Sequence, residues 1–357
     1  MRAIAVLSVV IYHAFPSLLR GGFVGVDVFF VISGFLISAL IFKAIEADRF
    51  SFAQFYGRRI RRILPALTVV VAASLAFGWF ALLPNKYAEL GKQAAGAAGF
   101  IVNLVFAKEA GYFDTASALK PLQHLWSLSV EEQFYLLWPM LLLVAWKKGL
   151  RLVGLILCLV LFSFLDNIAH IASEPAKTFF DLRSRFWELG IGGMLAYAMM
   201  HLDLDRVDAW LAHLIFEPRS TRRRPTFTIA DIKSAVGIVL ILIAIVSPIP
   251  ESRFPGWWAL YPTIGATLVI WSGPRAWVNK ALLSRPAAVF VGLISYPLYL
   301  WHWPLLSFVR ITESGAPRAL IYIAILLSFP LAWLTYAFIE RPIRTRRSGA
   351  ALPAAWC

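Results

Sequence analysis

Long apolar segments constrain this 357-residue chain more than any other feature of its sequence. About ten of them approach the roughly 20 residues that a helix needs to cross a bilayer. With 60% hydrophobic and 15% charged residues, the chain is far more apolar than a soluble domain. We therefore predict an all-α polytopic integral membrane protein with about ten transmembrane helices, near residues 3–19, 24–45, 64–83, 130–146, 150–166, 185–200, 232–248, 257–273, 287–308 and 318–338.

The segment near 88–106 is also apolar, but its glycines, Lys92 and Asn103 weaken it as a span. We predict a re-entrant or interfacial helix there. With this segment not crossing and the N-terminus cytoplasmic, about two thirds of the 34 Lys and Arg residues face the cytoplasm, as the positive-inside rule requires. Both termini are therefore expected in the cytoplasm, and the net charge of +14 needs no nucleic-acid partner.

One transmembrane domain is predicted over residues 1–345, and residues 346–357 form a short basic cytoplasmic tail. The sequence contains two cysteines, Cys158 and Cys357, which provide neither a disulfide framework nor a cluster of metal ligands. We predict no metal site.

A histidine lies inside the first apolar segment, where an ionisable side chain is costly and usually faces a polar cavity. Arg2 precedes His13 on the same face of the predicted helix, at a distance of about 16 Å along the axis. The alternative is a structural histidine that bonds to a backbone carbonyl. The intramembrane position favours a functional site.

Five ordered motifs resemble those of the membrane acyltransferase family 3, which includes bacterial O-antigen and peptidoglycan O-acetyltransferases. They are the Arg2-to-His13 spacing and the segments 22–37, 55–65, 124–135 and 295–304. The resemblance implies a protein of the bacterial inner membrane that transfers an acyl group, usually acetyl from acetyl-CoA, to a hydroxyl of a cell-surface or exported glycan. Its partners would be acetyl-CoA, the glycan acceptor and membrane lipids.

Two departures from the family pattern affect this expectation. The chain begins at the arginine motif, and its segment 338–344 resembles the form of the family in which a further span and an extracytoplasmic SGNH-type domain follow. We therefore keep the alternative of an acyl-translocating or transporter subunit that passes the acyl group to a separate SGNH-type transferase. A purely structural membrane scaffold is a third alternative.

Acyl transfer to a hydroxyl needs a base, and imidazole has a pKa near neutrality, so His13 is the first catalytic candidate. Asp27 is expected at a similar depth and either orients that imidazole or faces water near the hairpin. Glu131 and Glu132 are expected at the start of the fourth span. Glu132 fits a capping box with Ser129, which leaves Glu131 as the functional candidate.

Arginines near the inner face are candidates for binding the phosphates of the donor. Arg2 is one, and Arg59 and Arg62 are the others, although anchoring to anionic lipid explains such basic residues equally well. His124, Trp126, Tyr299 and His302 are candidates for an aromatic surface that stacks on sugar rings. An ordinary aromatic belt at the membrane interface is the alternative for them.

Overall fold

The computed structural model describes residues 1–109, 117–215, 227–250, 253–313 and 315–345. Within these ranges the regular structure is entirely helical, as predicted. The α-helices, in chain order α1 to α16, are Arg2–Ala14, Gly25–Glu46, Phe52–Ala81, Pro84–Ala98, Val102–Glu109, Leu125–Lys147, Leu152–His170, Pro175–Phe180, Leu182–His201, Leu204–Ile215, Ile229–Val246, Leu260–Trp271, Pro286–Leu293, Ser295–Thr312, Arg318–Leu334 and Arg341–Thr345.

Six helical segments of the described chain are long and apolar enough to cross a membrane: Gly22–Glu46, Phe52–Ala81, Leu125–Lys147, Leu152–His170, Ile229–Val246 and Arg318–Arg344. A seventh is possible if α13 and α14, bent by 66° at their junction, form one span. These helices make the chain a multi-pass membrane protein. The other predicted spans coincide with shorter or more polar helices, since α1 has 13 residues and α12 has 12, so the count of ten stays a prediction.

The apolar segment near 88–106 does not form one continuous helix. It is divided between α4 and α5, and the chain turns between them at Phe100, which has a φ of 53°. Each piece is shorter than a bilayer crossing, which agrees with the prediction that this segment does not span. The predicted tail at 346–357 lies outside the described residues.

The centre of the bundle is the close contact between α2 and α9. A Cβ atom on Gly34 would lie 1.9 Å from the carbonyl oxygen of Leu189, and one on Gly192 would lie 2.2 Å from that of Val31. Only glycine permits two helix backbones to approach so closely. This contact fixes which side chains of α2 and α9 meet, including the charged ones described below.

A second group of helices, α1, α3 and α14, packs beside this centre. The hydroxyl of Tyr296 on α14 donates a hydrogen bond of 2.9 Å to the carbonyl oxygen of Ile63 on α3. α14 therefore lies between α1 and α3, and its inward face carries Tyr296, Tyr299 and His302.

Candidate active site

A cavity of about 70 Å³ lies among α1, α2, α3, α6 and α14. All three arginines predicted to bind the donor, Arg2, Arg59 and Arg62, line it. Its lining residues on α2 extend from Val26 to Ser33, which is roughly 10 Å along that helix. We call it the basic cavity; its remaining lining residues are Phe29, Phe30, Ile63, Ser127, Leu128, Glu131, Ser295, Tyr296 and Tyr299.

Among the residues that the structure describes, Glu131 is the only carboxylate that lines the basic cavity. It accepts hydrogen bonds from the hydroxyls of Ser33 and Tyr135. The ring of Tyr135 in turn lies 4.5 Å from the guanidinium carbon of Arg59, within the range of a cation–π contact. Ser33 and Tyr135 were not among the predicted site residues, because hydroxyls within an apolar span give no distinctive sequence signal.

The predicted capping box at Ser129 and Glu132 is wrong. α6 begins at Leu125, so both residues lie inside the helix, where the Ser129 hydroxyl donates to the carbonyl of Leu125 at 3.2 Å. A turn at residues 120–124 leads directly into the helix, which begins five residues before the predicted span. Glu131 consequently lies in the interior of the helix rather than at its dipole end.

Two histidines from different ends of the sequence form a pair beside the basic cavity. Nδ1 of His13 lies 2.9 Å from Nε2 of His302, and the two ring planes differ by 4°. His302 is completely buried, whereas His13 is partly exposed. His302 lies one helical turn from Tyr299, a residue of the cavity wall, so the pair lies directly beyond the cavity.

The hydrogen bonds of this pair determine where its protons are. Nδ1 of His302 lies 3.2 Å from the carbonyl oxygen of Leu298, which can only accept, so Nδ1 carries the proton. In the neutral imidazole Nε2 is then the acceptor, and His13 must donate from its own Nδ1. This assignment leaves the lone pair of His13 on Nε2, the nitrogen available to a substrate.

Further contacts hold His13 in place. The ring of Trp303 packs edge-on against it, with centroids 4.3 Å apart, and Arg310 donates a hydrogen bond to its backbone carbonyl. The ring of His124 lies 5.7 Å from that of His302. Arg310 was not among the predicted site residues. The sequence signal that could have found it is its position as a basic residue next to an aromatic motif, at the end of a predicted span.

Asp27 does not contact His13, so the prediction that it orients that imidazole is wrong. Its carboxylate lies 3.2 Å from the guanidinium of Arg185, which also pairs with Glu188 at 2.8 Å. All three side chains are fully buried. The glycine contact between α2 and α9 brings these groups together, and we call them the closed cluster. Arg185 and Glu188 were detectable as charges three residues apart in a predicted span.

Trp126 belongs to the surroundings of the closed cluster. It is 6% exposed, and its ring lies 5.6 Å from the guanidinium carbon of Arg185. Phe30, Phe179 and Phe254 complete an aromatic enclosure at 5.4 to 5.8 Å. An aromatic enclosure stabilises the guanidinium through its ring faces.

The predicted outward aromatic surface is also wrong. His124 and His302 are buried, and Tyr299 faces the basic cavity rather than the membrane interface. The hydroxyl of Tyr299 donates to the carbonyl of His124 at 2.8 Å and lies 2.7 Å from the Ser127 hydroxyl. These residues therefore connect the basic cavity with the histidine pair. Within the described ranges, no group of three His, Cys, Asp or Glu side chains could hold a metal ion.

A fold of membrane helices with a basic cavity next to a histidine pair is consistent with acyl transfer. The model of the acyltransferase 3 family, described as an acyltransferase domain, matches residues 1–337, and the chain belongs to this family. No solved structure matches it.

Two curated relatives are similar over nearly the whole chain. A putative peptidoglycan O-acetyltransferase, YrhL of Bacillus subtilis, is 32% identical over 97% of this chain and 54% of its own length. The peptidoglycan O-acetyltransferase OatA of Listeria monocytogenes is 30% identical over 96% of this chain and 55% of its own length. The chain thus spans about half the length of these relatives.

Proposed function

We propose that this protein is a membrane O-acyltransferase that takes acetyl from cytoplasmic acetyl-CoA and transfers it to a hydroxyl of an exported glycan. The observation that carries the proposal is the basic cavity, whose wall leads through Tyr299 to the paired His13 and His302. Relatives that are named peptidoglycan O-acetyltransferases make peptidoglycan the first acceptor to test. In this proposal the acceptor hydroxyl binds beside His13, at the C-terminal end of α1.

The charge of the basic cavity suits the donor. Among the described residues, three guanidinium groups and one carboxylate line it, and that carboxylate is already bonded to two hydroxyls. Glu132 and Glu340 lie near these arginines but do not line the cavity. Arginine binds phosphate through paired N–H donors, so an excess of arginine supports binding of the phosphates of coenzyme A. Arg2 lies at this end of α1, and the positive-inside rule supports a cytoplasmic location for it.

The histidine pair supplies the base. Nε2 of His13 takes the proton of the acceptor hydroxyl while the oxygen of that hydroxyl attacks the thioester carbonyl. When the carbon–sulfur bond breaks, the imidazolium returns the proton to the departing thiolate, and the products are an O-acetyl ester and coenzyme A. During this cycle His302 keeps the His13 ring in the orientation and tautomer that the reaction needs.

A second candidate function is acyl translocation to a separate extracytoplasmic transferase. Buried polar groups along the helices, among them the paired His13 and His302, suit a route by which an acyl group crosses the membrane. In this case the acetyl group would leave the histidine pair for a hydroxyl of that partner. The chemistry at His13 would be unchanged.

Purified protein in proteoliposomes, supplied with radiolabelled acetyl-CoA and peptidoglycan fragments, tests the proposal. We expect His13→Ala to lower the rate of transfer by about 10²-fold to 10⁴-fold, the usual contribution of a general base. His213→Ala, which removes an exposed histidine of α10, is the matched control. Transfer that needs an added SGNH-type protein would support the second candidate. Normal transfer by His13→Ala would contradict both.

A further inference from the structure

A second cavity, of about 220 Å³, lies at the other end of α3 and α14. α14 connects the two cavities: Tyr296 and Tyr299 line the basic cavity, His302 follows one turn later, and Arg310 lines the second cavity. The second cavity therefore lies on the far side of the histidine pair from the donor arginines. It is lined by Leu82, Lys86, Glu89, Gln93, Leu119, Pro121, Arg310 and Ile311.

Two contacts join the second cavity to His13. Arg310 donates to the backbone carbonyl of His13, so its guanidinium lies between the cavity and the end of α1. On the other wall, the indole N–H of Trp303 donates to the carbonyl of Lys120 at 2.8 Å, next to the lining residue Pro121. Trp303 packs directly on the His13 ring. A molecule in the second cavity is consequently next to residues that contact His13.

The charges that line this cavity are unbalanced. Glu89 is the one carboxylate that lines it within the described part of the chain, and Lys86 pairs with Glu89 at 2.9 Å. Among the residues that the structure describes, no carboxylate lies within ion-pair distance of Arg310. A guanidinium has five N–H donors, and one bond to the His13 carbonyl leaves most of them for a ligand. Such a group binds carboxylate or phosphate in preference to neutral hydroxyls.

We propose that the second cavity binds the acceptor and selects a glycan that carries an anionic group. The carboxylate or phosphate pairs with Arg310, and a hydroxyl of the same or the adjacent sugar is presented to Nε2 of His13. This inference rests on the proposed acyltransfer. It adds the chemical class of the acceptor and assigns Arg310 as the residue that determines its specificity.

Matched glycosides test this proposal. Methyl β-glucuronide carries a carboxylate, and its carboxamide has the same shape without the charge. We would measure the dissociation constant of each by calorimetry, and acetyl transfer to each, with the full chain in nanodiscs. The wild-type protein should favour the glucuronide at least tenfold, and Arg310→Gln should reduce that preference to within twofold. Methyl glucoside 6-phosphate shows whether phosphate or carboxylate is the better anion.

Arg318→Gln is the control, since it removes an equal charge from an exposed position at the start of α15. Equal binding of glucuronide and carboxamide by the wild-type protein would overturn the proposal. So would an equal loss for both glycosides in Arg310→Gln, since this is expected if Arg310 only holds the His13 carbonyl. Turnover of acetyl-CoA without acceptor reports on the donor side, so failure of the proposed function is recognised separately.

Discussion

The closed cluster and the basic cavity are two ways of placing charge inside a membrane domain. In the closed cluster one guanidinium faces two carboxylates, all fully buried and enclosed by aromatic rings. In the basic cavity three guanidinium groups face one carboxylate around open space. The cation of the closed cluster is already held by acids of the protein and has no need of an anionic ligand, whereas the cations beside the basic cavity outnumber the carboxylate that lines it.

The comparison separates residues that look alike in sequence. Asp27 and Glu131 are both acids in predicted spans, and Arg185 and Arg62 are both basic residues in or near one. Their partners in the structure divide them into a group that stabilises the contact between α2 and α9 and a group that faces the cavity. The predictions below test whether this division corresponds to stability and activity.

The largest effect is expected in the closed cluster. Arg185→Met leaves Asp27 and Glu188 without their cation, and breaking a buried ion pair in this way costs about 3–5 kcal/mol of the free energy of unfolding. Thermal unfolding in detergent, followed by size-exclusion chromatography, measures the loss. Arg183→Gln, on the same helix but 60% exposed, is the control and should change the free energy of unfolding little.

A compensated variant makes this test sharper. When Asp27→Asn and Glu188→Gln are combined with Arg185→Met, no unpaired charge remains and most of the stability should return. If the combined variant is as unstable as Arg185→Met alone, the aromatic contacts of the guanidinium matter more than the charge balance. The contrast drawn between the closed cluster and the basic cavity would then be wrong.

The next-largest effect is expected at His302, a positioning residue that lies beside the basic cavity. His302→Phe removes the acceptor for Nδ1 of His13 and should lower the rate of transfer by less than the roughly 10²-fold to 10⁴-fold expected from loss of the base itself. His302→Gln keeps an acceptor oxygen near the same place and should retain more activity. A change in the pH dependence of transfer in His302→Phe, but not in His302→Gln, distinguishes orientation of the base from loss of packing.

The smallest effect is expected at Glu131. Glu131→Gln removes a carboxylate that lines the basic cavity but keeps an acceptor for Ser33 and Tyr135. The KM for acetyl-CoA should therefore fall about twofold to threefold, because repulsion of the phosphates decreases. A fall in kcat of more than tenfold would instead support the catalytic role that the sequence suggests for this residue.

Sequence reasoning succeeded where one segment contains the signal. The helical membrane fold follows from hydropathy, and the motif at 55–65 contains two of the three arginines that line the basic cavity. It failed where partners come from distant segments. The pairing of Asp27 with Arg185 depends on a glycine contact between helices, and the pairing of His13 with His302 joins residues 289 apart. Hydropathy alone does not determine which helix faces meet.

The measurement that tests this account most directly is the affinity of the purified protein for acetyl-CoA. The double variant Arg59→Gln, Arg62→Gln should bind it about 10-fold to 100-fold more weakly, the effect of losing charge-assisted bonds to phosphate. Arg58→Gln, an exposed arginine on the same helix that does not line the cavity, should bind it like the wild type. Equal affinity in all three proteins would contradict the assignment of the basic cavity to the donor.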